Sequence, residues 1–221
     1  MEGLLMPKKP SISISVIKRL PRYHRYLGDM LKSGTRRISS RELAHIMSLT
    51  ASQIRQDLNC FGGFGQQGYG YNVEYLYSEI GNILGIPNRQ PAVLIGAGNL
   101  GKAIARQMDF DNSGFHLIGI FDQSPDIIGK EIKNTIVRDI AELETVCKEY
   151  KPMVAILCIP KDETPAVADK CIELGIKGFW NFTHYDLTQG YENIAVENVH
   201  LSDSLMTLCY QVNDLLKSNE E

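Results

Sequence analysis

Residues 92–108, AVLIGAGNLGKAIARQM, restrict the fold of this chain more than any other stretch. Ala92-Val93-Leu94-Ile95 is a short apolar run that suits a buried strand. Three glycines follow in a G-x-G-x-x-G pattern, and a helical pattern begins at once. Alone the pattern is common; between a strand and a helix it specifies a turn that cradles phosphate. Gly96 makes the tight turn, and Gly98 lets the backbone approach a pyrophosphate at the helix N-terminus. Gly101 allows helix and strand to pack closely. Ala97, Asn99 and Leu100 complete the loop. A second apolar run, His116 to Phe121, ends at Asp122, 21 residues beyond Gly101. An acid there accepts hydrogen bonds from ribose hydroxyls and repels a 2′-phosphate, which favours NAD(H) over NADP(H).

The alternation of strand and helix patterns continues, which predicts a doubly wound parallel sheet. Thr135-Ile136-Val137 reads as a strand followed by a helix from Asp139. Met153–Ile159 reads as a buried strand, Glu163–Leu174 as a helix and Gly178–Phe182 as a strand. Ligands in such sheets lie beyond the carboxyl ends of the strands. Ile159, Pro160, Asn181, Phe182 and His184 are therefore candidates for the cofactor crevice, each weighed against simple loop structure. Residues 200–217 read as a helix with Leu201, Leu205, Leu208, Cys209, Val212 and Leu216 on one stripe, suited to packing on a partner subunit.

Upstream of the fingerprint the chain changes character. The formal net charge is −3, but residues 1–82 carry +5 and residues 83–221 carry −8. Such asymmetry points to two domains with different partners. Gly85, Pro87 and Pro91 mark a linker or domain edge over 83–90. Residues 15–33 are periodic as a helix that Pro21 kinks or restarts. Ser39 with Glu42, and Thr50 with Gln53, read as two capping boxes opening helices to about Ser48 and Phe61. A turn around Leu49 makes the pair a helix-turn-helix.

In the second of these helices, Ile54, Leu58 and Phe61 share one face and should be core. Ser52, Gln53, Arg55, Gln56 and Asn59 share the other. These are short or planar hydrogen-bonding side chains: arginine suits guanine and glutamine suits adenine. A merely solvated face would more often carry Glu and Lys. The run FGGFGQQGYGY, 61–71, suits a hairpin with Gln66-Gln67 at its tip, the wing of a winged helix, against the plainer reading of a hairpin that closes a small core. Lys18, Arg19, Arg22, Arg25, Lys32, Arg36 and Arg37 are phosphate candidates as a group, with Arg19 and Arg22 foremost.

The 43% hydrophobic content excludes a disordered chain. No apolar run approaches the roughly 20 residues of a membrane span, and the first residues do not read as a signal peptide. Five unpaired, widely spaced cysteines (60, 147, 158, 171 and 209) fit neither a disulfide framework nor a zinc site; reduced, mostly buried thiols in the cytoplasm are expected. No metal site is expected.

Taken together, the run QIRQDLNCFGGFGQQGYGY, the fingerprint GAGNLG and the segment VENVHLSDSL resemble the Rex family of redox-sensing repressors over about residues 10–215. The resemblance implies a winged helix over 1–85, a Rossmann NAD(H)-binding domain over 86–198 and a dimerisation helix over 199–221 exchanged between subunits of a homodimer. It further implies a palindromic operator, bound when NAD+ is abundant and released as NADH rises, with genes of fermentation and NADH reoxidation under control. It places a recognition role on Arg55, the nucleotide on residues 96–101 and the acid at Asp122. His200 stands where some members have Asp, and His184 where some have Pro; Asp203, one turn on, is a possible substitute. Two other readings stay open. An NAD-dependent dehydrogenase with a helical accessory domain lacks support from any Tyr-x-x-x-Lys pair or telling His–Asp spacing. A CoA-ligase-like nucleotide domain need not bind NAD at all.

Overall fold

The computed structural model describes residues 12–66 and 69–218. The chain divides into two units, Met1–Pro87 and Asn88–Glu221.

The first unit runs α1 (Ile14–Ile17), α2 (Leu20–Lys32), β1 (Arg37–Ile38), α3 (Ser40–Met47), α4 (Ala51–Asn59), β2 (Gly65–Gln66), β3 (Gly70–Asn72) and α5 (Val73–Leu84). Pro21 lies in the first turn of α2, where the missing N–H costs nothing, so of the two outcomes expected at Pro21, kink or restart, the helix restarts. Ser39 heads a complete capping box: its Oγ accepts from Glu42 N at 3.1 Å, and Glu42 Oε2 accepts from Ser39 N at 2.7 Å. At Thr50 only half of the expected box forms. Thr50 Oγ1 accepts from Gln53 N at 3.1 Å, but the Gln53 amide turns away to Asp57.

The three strands form an antiparallel sheet in the order β1-β3-β2. Gly70, at φ +68°, leaves no room for a side chain, because a Cβ would sit 2.7 Å from the Ile38 carbonyl oxygen. The sequence reading missed α5, since Val73, Tyr75 and Tyr77 favour strands locally. Asn72 caps the helix by accepting from Tyr75 N at 2.9 Å, and Val73, Leu76 and Ile80 pack into one core with Leu20, Tyr23 and Leu27 of α2. Gly85, left-handed at φ +74°, ends α5, and a single 3-10 turn leads into the next strand. The expected linker at 83–90 is thus a helix end and a tight turn.

The second unit runs β4 (Gln90–Ile95), α6 (Asn99–Gln107), β5 (Phe115–Asp122), β6 (Glu131–Ile132), β7 (Thr135–Asp139), α7 (Leu143–Tyr150), β8 (Val154–Leu157), α8 (Thr164–Glu173), β9 (Gly178–Asn181), β10 (Ala195–Asn198) and α9 (Leu201–Ser218). The sheet order is β10-β9-β8-β4-β5-β7-β6. Counted in chain order, its six parallel strands give 3-2-1-4-5-6, the doubly wound dinucleotide-binding order. The expected doubly wound parallel sheet is present, and at one edge the short β6 is added antiparallel to β7. Neither β6 nor β10 carries an apolar run long enough to register as a pattern.

One face of the sheet (Val93, Ile95, Phe121, Leu157) packs under α7 and α8, and the other (Leu94, Ile120, Ile156) under α6. Of the five cysteines, only Cys147 and Cys171 are fully buried; Cys60 and Cys209 are exposed. In α9, Leu201, Leu205, Leu208, Val212 and Leu216 are all exposed.

Candidate functional site: a nucleotide cleft and a nucleic-acid-facing helix

The order of strands reverses between β4 and β8, and the loop 96–101 sits there. Gly96 has φ +96°, and a Cβ on it would strike the Cys158 carbonyl oxygen. A Cβ on Gly101 would strike the Gly96 carbonyl oxygen. These two glycines are required by the protein itself. Gly98 differs, because a Cβ there would meet nothing within 4 Å. Its backbone faces open space at the start of α6, where unpaired N–H groups favour an anion.

Asp122, at the end of β5, accepts from Ala97 N at 2.6 Å through Oδ2 and from Ser124 N at 2.8 Å through Oδ1. It therefore ties the glycine loop to the neighbouring strand while each oxygen retains a lone pair. A cleft of about 190 Å³ is lined by Gly96, Gly98, Asp122, Ile159 and Pro160, together with Gln123, Cys158 and Glu163. Gln123 Nε2 donates to Glu163 Oε1 at 3.0 Å, joining the end of β5 to the turn before α8. Cys158 is the strand-end cysteine for which a structural role is the favoured reading; Gln123 and Glu163 carry no signal in the sequence beyond adjacency to Asp122 and Pro160. Burial pushes the Cys158 thiol up to about 12, so it is a neutral wall of the cleft and not a nucleophile.

Asn181 is corrected. It is fully buried, and its amide is spent on its own surroundings. Nδ2 donates to Tyr185 O at 2.7 Å and Asn198 Oδ1 at 2.8 Å, while Oδ1 accepts from Thr183 N and Thr183 Oγ1. With both hydrogens and two lone pairs committed, it shapes the loop instead of facing a ligand. Phe182 is half-buried in an edge contact with Trp180, ring centroids 4.6 Å apart. His184 is exposed and lies parallel to His200, with centroids 6.0 Å apart. The strand end and the start of α9 thereby meet. Asp203 N donates to His200 O.

In the first unit, Ile54 and Leu58 of α4 are buried as expected, and Ser52, Arg55, Gln56 and Asn59 are exposed. Arg55 Nη1 donates to Ser40 Oγ at 3.1 Å, which steadies the guanidinium and leaves most of its donors open. Gln66 lies in β2, and Gln67 lies outside the described residues. Arg37 at the wing base donates to Tyr69 O and stands over the exposed Tyr69 ring at 5.9 Å.

Of the two leading phosphate candidates, Arg19 is corrected, while Arg22 is exposed and keeps most of its donors open. Arg22 Nη2 donates to the Met47 carbonyl at 3.0 Å, closing the end of α3. Arg19 makes a two-pronged ion pair with Asp57, Nε to Oδ2 at 2.6 Å and Nη2 to Oδ1 at 2.7 Å. Asp57, on α4 and 1% exposed, also accepts from Tyr23 Oη at 2.9 Å and Gln53 Nε2 at 2.8 Å. Burial alone would raise its pKa, but the hydrogen bonds from Arg19, Gln53 and Tyr23 hold it below the usual carboxylate value. Tyr23 is pushed up, chiefly by burial. The sequence reading passed over Asp57; an acid among basic and amide residues on a helix was the available signal.

Among the described residues, no cluster of three or more His, Cys, Asp or Glu is arranged to hold a metal ion, and no helix is long and apolar enough to cross a membrane. The His–Asp pair present, His116 with Asp111, sits at the opening end of β5, away from the cleft.

Two protein families match the two units. One, described as "Putative DNA-binding protein N-terminus", matches residues 11–59, and a "CoA binding domain" family matches residues 88–185. The redox-sensing transcriptional repressor Rex of Thermoanaerobacter pseudethanolicus is 53% identical over 95% of this chain and 93% of its own length. That of Clostridium beijerinckii is 49% identical over 95% of this chain and 99% of its own. Among solved structures, RSP in complex with beta-NAD+ and operator DNA superposes with a TM-score of 0.85 at 51% identity, covering 95% of this chain and 97% of that one. RSP in complex with beta-NADH gives 0.86 at 48% identity, covering 95% and 98%. At such identity across both units, this chain belongs to the Rex family of redox-sensing transcriptional repressors.

Proposed function

We propose that this protein is a cytoplasmic homodimeric repressor that binds a palindromic operator through α4 and the wing and leaves it when NADH occupies the cleft between β4 and β8. Its parts are a DNA-binding segment 1–85, a nucleotide-binding segment 86–198 and a dimerisation segment 199–221. One observation carries the reading. A relative 51% identical over 95% of this chain is described in complex with beta-NAD+ and operator DNA, and both units are covered. The relatives are repressors over nearly the whole chain, so the dehydrogenase reading is not favoured. The CoA reading has the matching family description in its favour. Against it, Asp122 repels a phosphate on the adenosine ribose, and CoA as well as NADPH carries one.

Two winged helices of a dimer must meet successive major grooves, about 34 Å apart or a multiple of that. The exposed leucine stripe of α9 is the surface through which a second copy would set that spacing. NAD+ and NADH differ by one charge on the nicotinamide. Discrimination falls to Ile159, Pro160 and the His184–His200 pair, because Asn181 is committed elsewhere. Coupling between the sites is reciprocal and typically about 1–3 kcal/mol. The test is duplex binding against an NADH titration at fixed salt, using a palindrome selected by the NAD+-loaded protein. NADH should weaken binding roughly fivefold to 150-fold, and NAD+ should not. An affinity that stays level across the NADH titration defeats the proposal. Calorimetry with NADH, NADPH and CoA separates the nucleotide readings.

A further inference from the structure

Asp57 is the one carboxylate on α4, and it is buried beneath the face proposed to read DNA. Four donors from three side chains converge on it: Nε and Nη2 of Arg19, Tyr23 Oη and Gln53 Nε2. Two consequences follow from elementary chemistry. An ionised carboxylate only accepts, so it fixes which end of the Gln53 amide faces inward. The nitrogen must point to Asp57 and the carbonyl must point away. The half-buried Gln53 then keeps one N–H and Oε1 for outside partners, the donor and acceptor that adenine N7 and N6 require. The second consequence concerns charge. A bare carboxylate on a helix facing phosphates would repel DNA, and the two-pronged guanidinium of Arg19 cancels that charge inside the unit.

We infer that Asp57 is a positioning residue for operator readout: it sets the flip of the Gln53 amide and, neutralised by Arg19, holds α4 in its reading pose. The inference rests on the reading that α4 faces the operator. It also reassigns Arg19 from phosphate contact to the support of a base contact. Tyr23, on α2 like Arg19's junction, fastens the same carboxylate to the core beneath. The cluster therefore makes one side chain's donor–acceptor order depend on the packing of two helices.

The experiment measures binding of the full chain to a panel of duplexes carrying every single base-pair change in the selected operator. Gln53→Ala should abolish the preference at one base pair, a loss of about tenfold to a hundredfold in discrimination. Asp57→Asn, whose amide both donates and accepts, should erode the preference at that same base pair. The double variant should discriminate no worse there than Gln53→Ala alone, since the two act in series. NADH affinity should be unchanged in all three. If Asp57→Asn weakens binding to all duplexes equally and keeps the preference, Asp57 is merely structural and the inference is overturned. Equally, full additivity of the two changes at that base pair overturns it. If Gln53→Ala, Arg55→Ala and Gln56→Ala all leave every base preference intact, the reading of α4 itself has failed. Should Asp57→Asn not fold, Gln53→Asn carries the test. Its amide is one methylene too short to span Asp57 and a base, so retained preference overturns the inference and lost preference supports it.

Discussion

The two units each carry an aspartate at the site proposed for their ligand, and they treat it in opposite ways. Asp57 in the basic unit is buried, paired with Arg19 and saturated by donors from side chains. Asp122 in the acidic unit lines an open cleft and is held only by backbone N–H groups of Ala97 and Ser124. On the proposed function, the ligand's charge accounts for the difference. Where the partner is a polyanion, a carboxylate must be hidden and neutralised before it is useful. Where the proposed partner is a ribose, the carboxylate must stay presented to the cleft. Backbone amides hold it in place without cancelling its charge.

That contrast is open to direct attack. The largest effect expected is from Asp57→Ala, which strands Tyr23 and Arg19 without their acceptor. Stability of the first unit should fall by about 3 kcal/mol. The single tryptophan, Trp180, lies in the second unit, so its fluorescence should unfold at an unchanged denaturant midpoint while far-UV circular dichroism shows an earlier step. A single coincident shift in both signals would mean the units are not separable in this way.

Gly101→Ala comes next. Its Cβ meets the Gly96 carbonyl, so the loop must move, at about 1–3 kcal/mol to the second unit. NADH affinity should drop more than tenfold by calorimetry while operator affinity without nucleotide holds. Gly98→Ala, with open space at its Cβ, should leave stability intact and weaken only the nucleotide. Asp122→Asn keeps one acceptor but loses the charge. About 1.5 kcal/mol, or roughly tenfold, of NADH affinity should go, with the bias against NADPH relaxed and operator binding by the nucleotide-free protein preserved. A parallel loss of operator binding would show that Asp122 acts as structure alone.

The smallest effect concerns pH. His24 of α2 stacks on Tyr77 of α5 at 4.1 Å, and burial lowers its pKa. The folded protein then binds fewer protons than the unfolded chain. Stability is full above the unfolded value near 6.5 and is lost as pH falls below it toward the lower folded value. Urea midpoints of the first unit at pH 7 and pH 5.5 should differ, and His24→Gln should flatten the difference. A variant that keeps the same pH dependence places the titration elsewhere.

How much of this was legible in advance differed by region. The fingerprint, the acid at Asp122, the capping box at Ser39 and the core face of α4 were all readable, because each depends on residues a few positions apart. Helix α5 was not, since its aromatic and β-branched residues favour strands locally and outweigh the quieter helix signals, the Asn72 cap and the spacing of Val73, Leu76 and Ile80, which packing on α2 makes decisive. Strands β1, β6 and β10 are two to four residues long and exist through their partners. The site residues divide in the same way. Ile159 and Pro160 line the cleft as their place at a strand end implied. Asn181, at an equivalent end, turned inward, because Tyr185, Thr183 and Asn198 satisfy every polar atom it has.

The amino-acid order by itself determined the strand–turn–helix at residues 92–108, the helix-turn-helix and the division of charge between two units. Backbone freedom at glycine, capping and periodicity act over a few residues and need no distant partner. Only the tertiary structure decided what Arg19, Gln53, Asp57 and Asn181 do. Each is a polar side chain with several acceptable partners, and burial requires that it take those within reach. Reach across 34 and 38 residues, from Tyr23 and Arg19 to Asp57, is a property of packed helices.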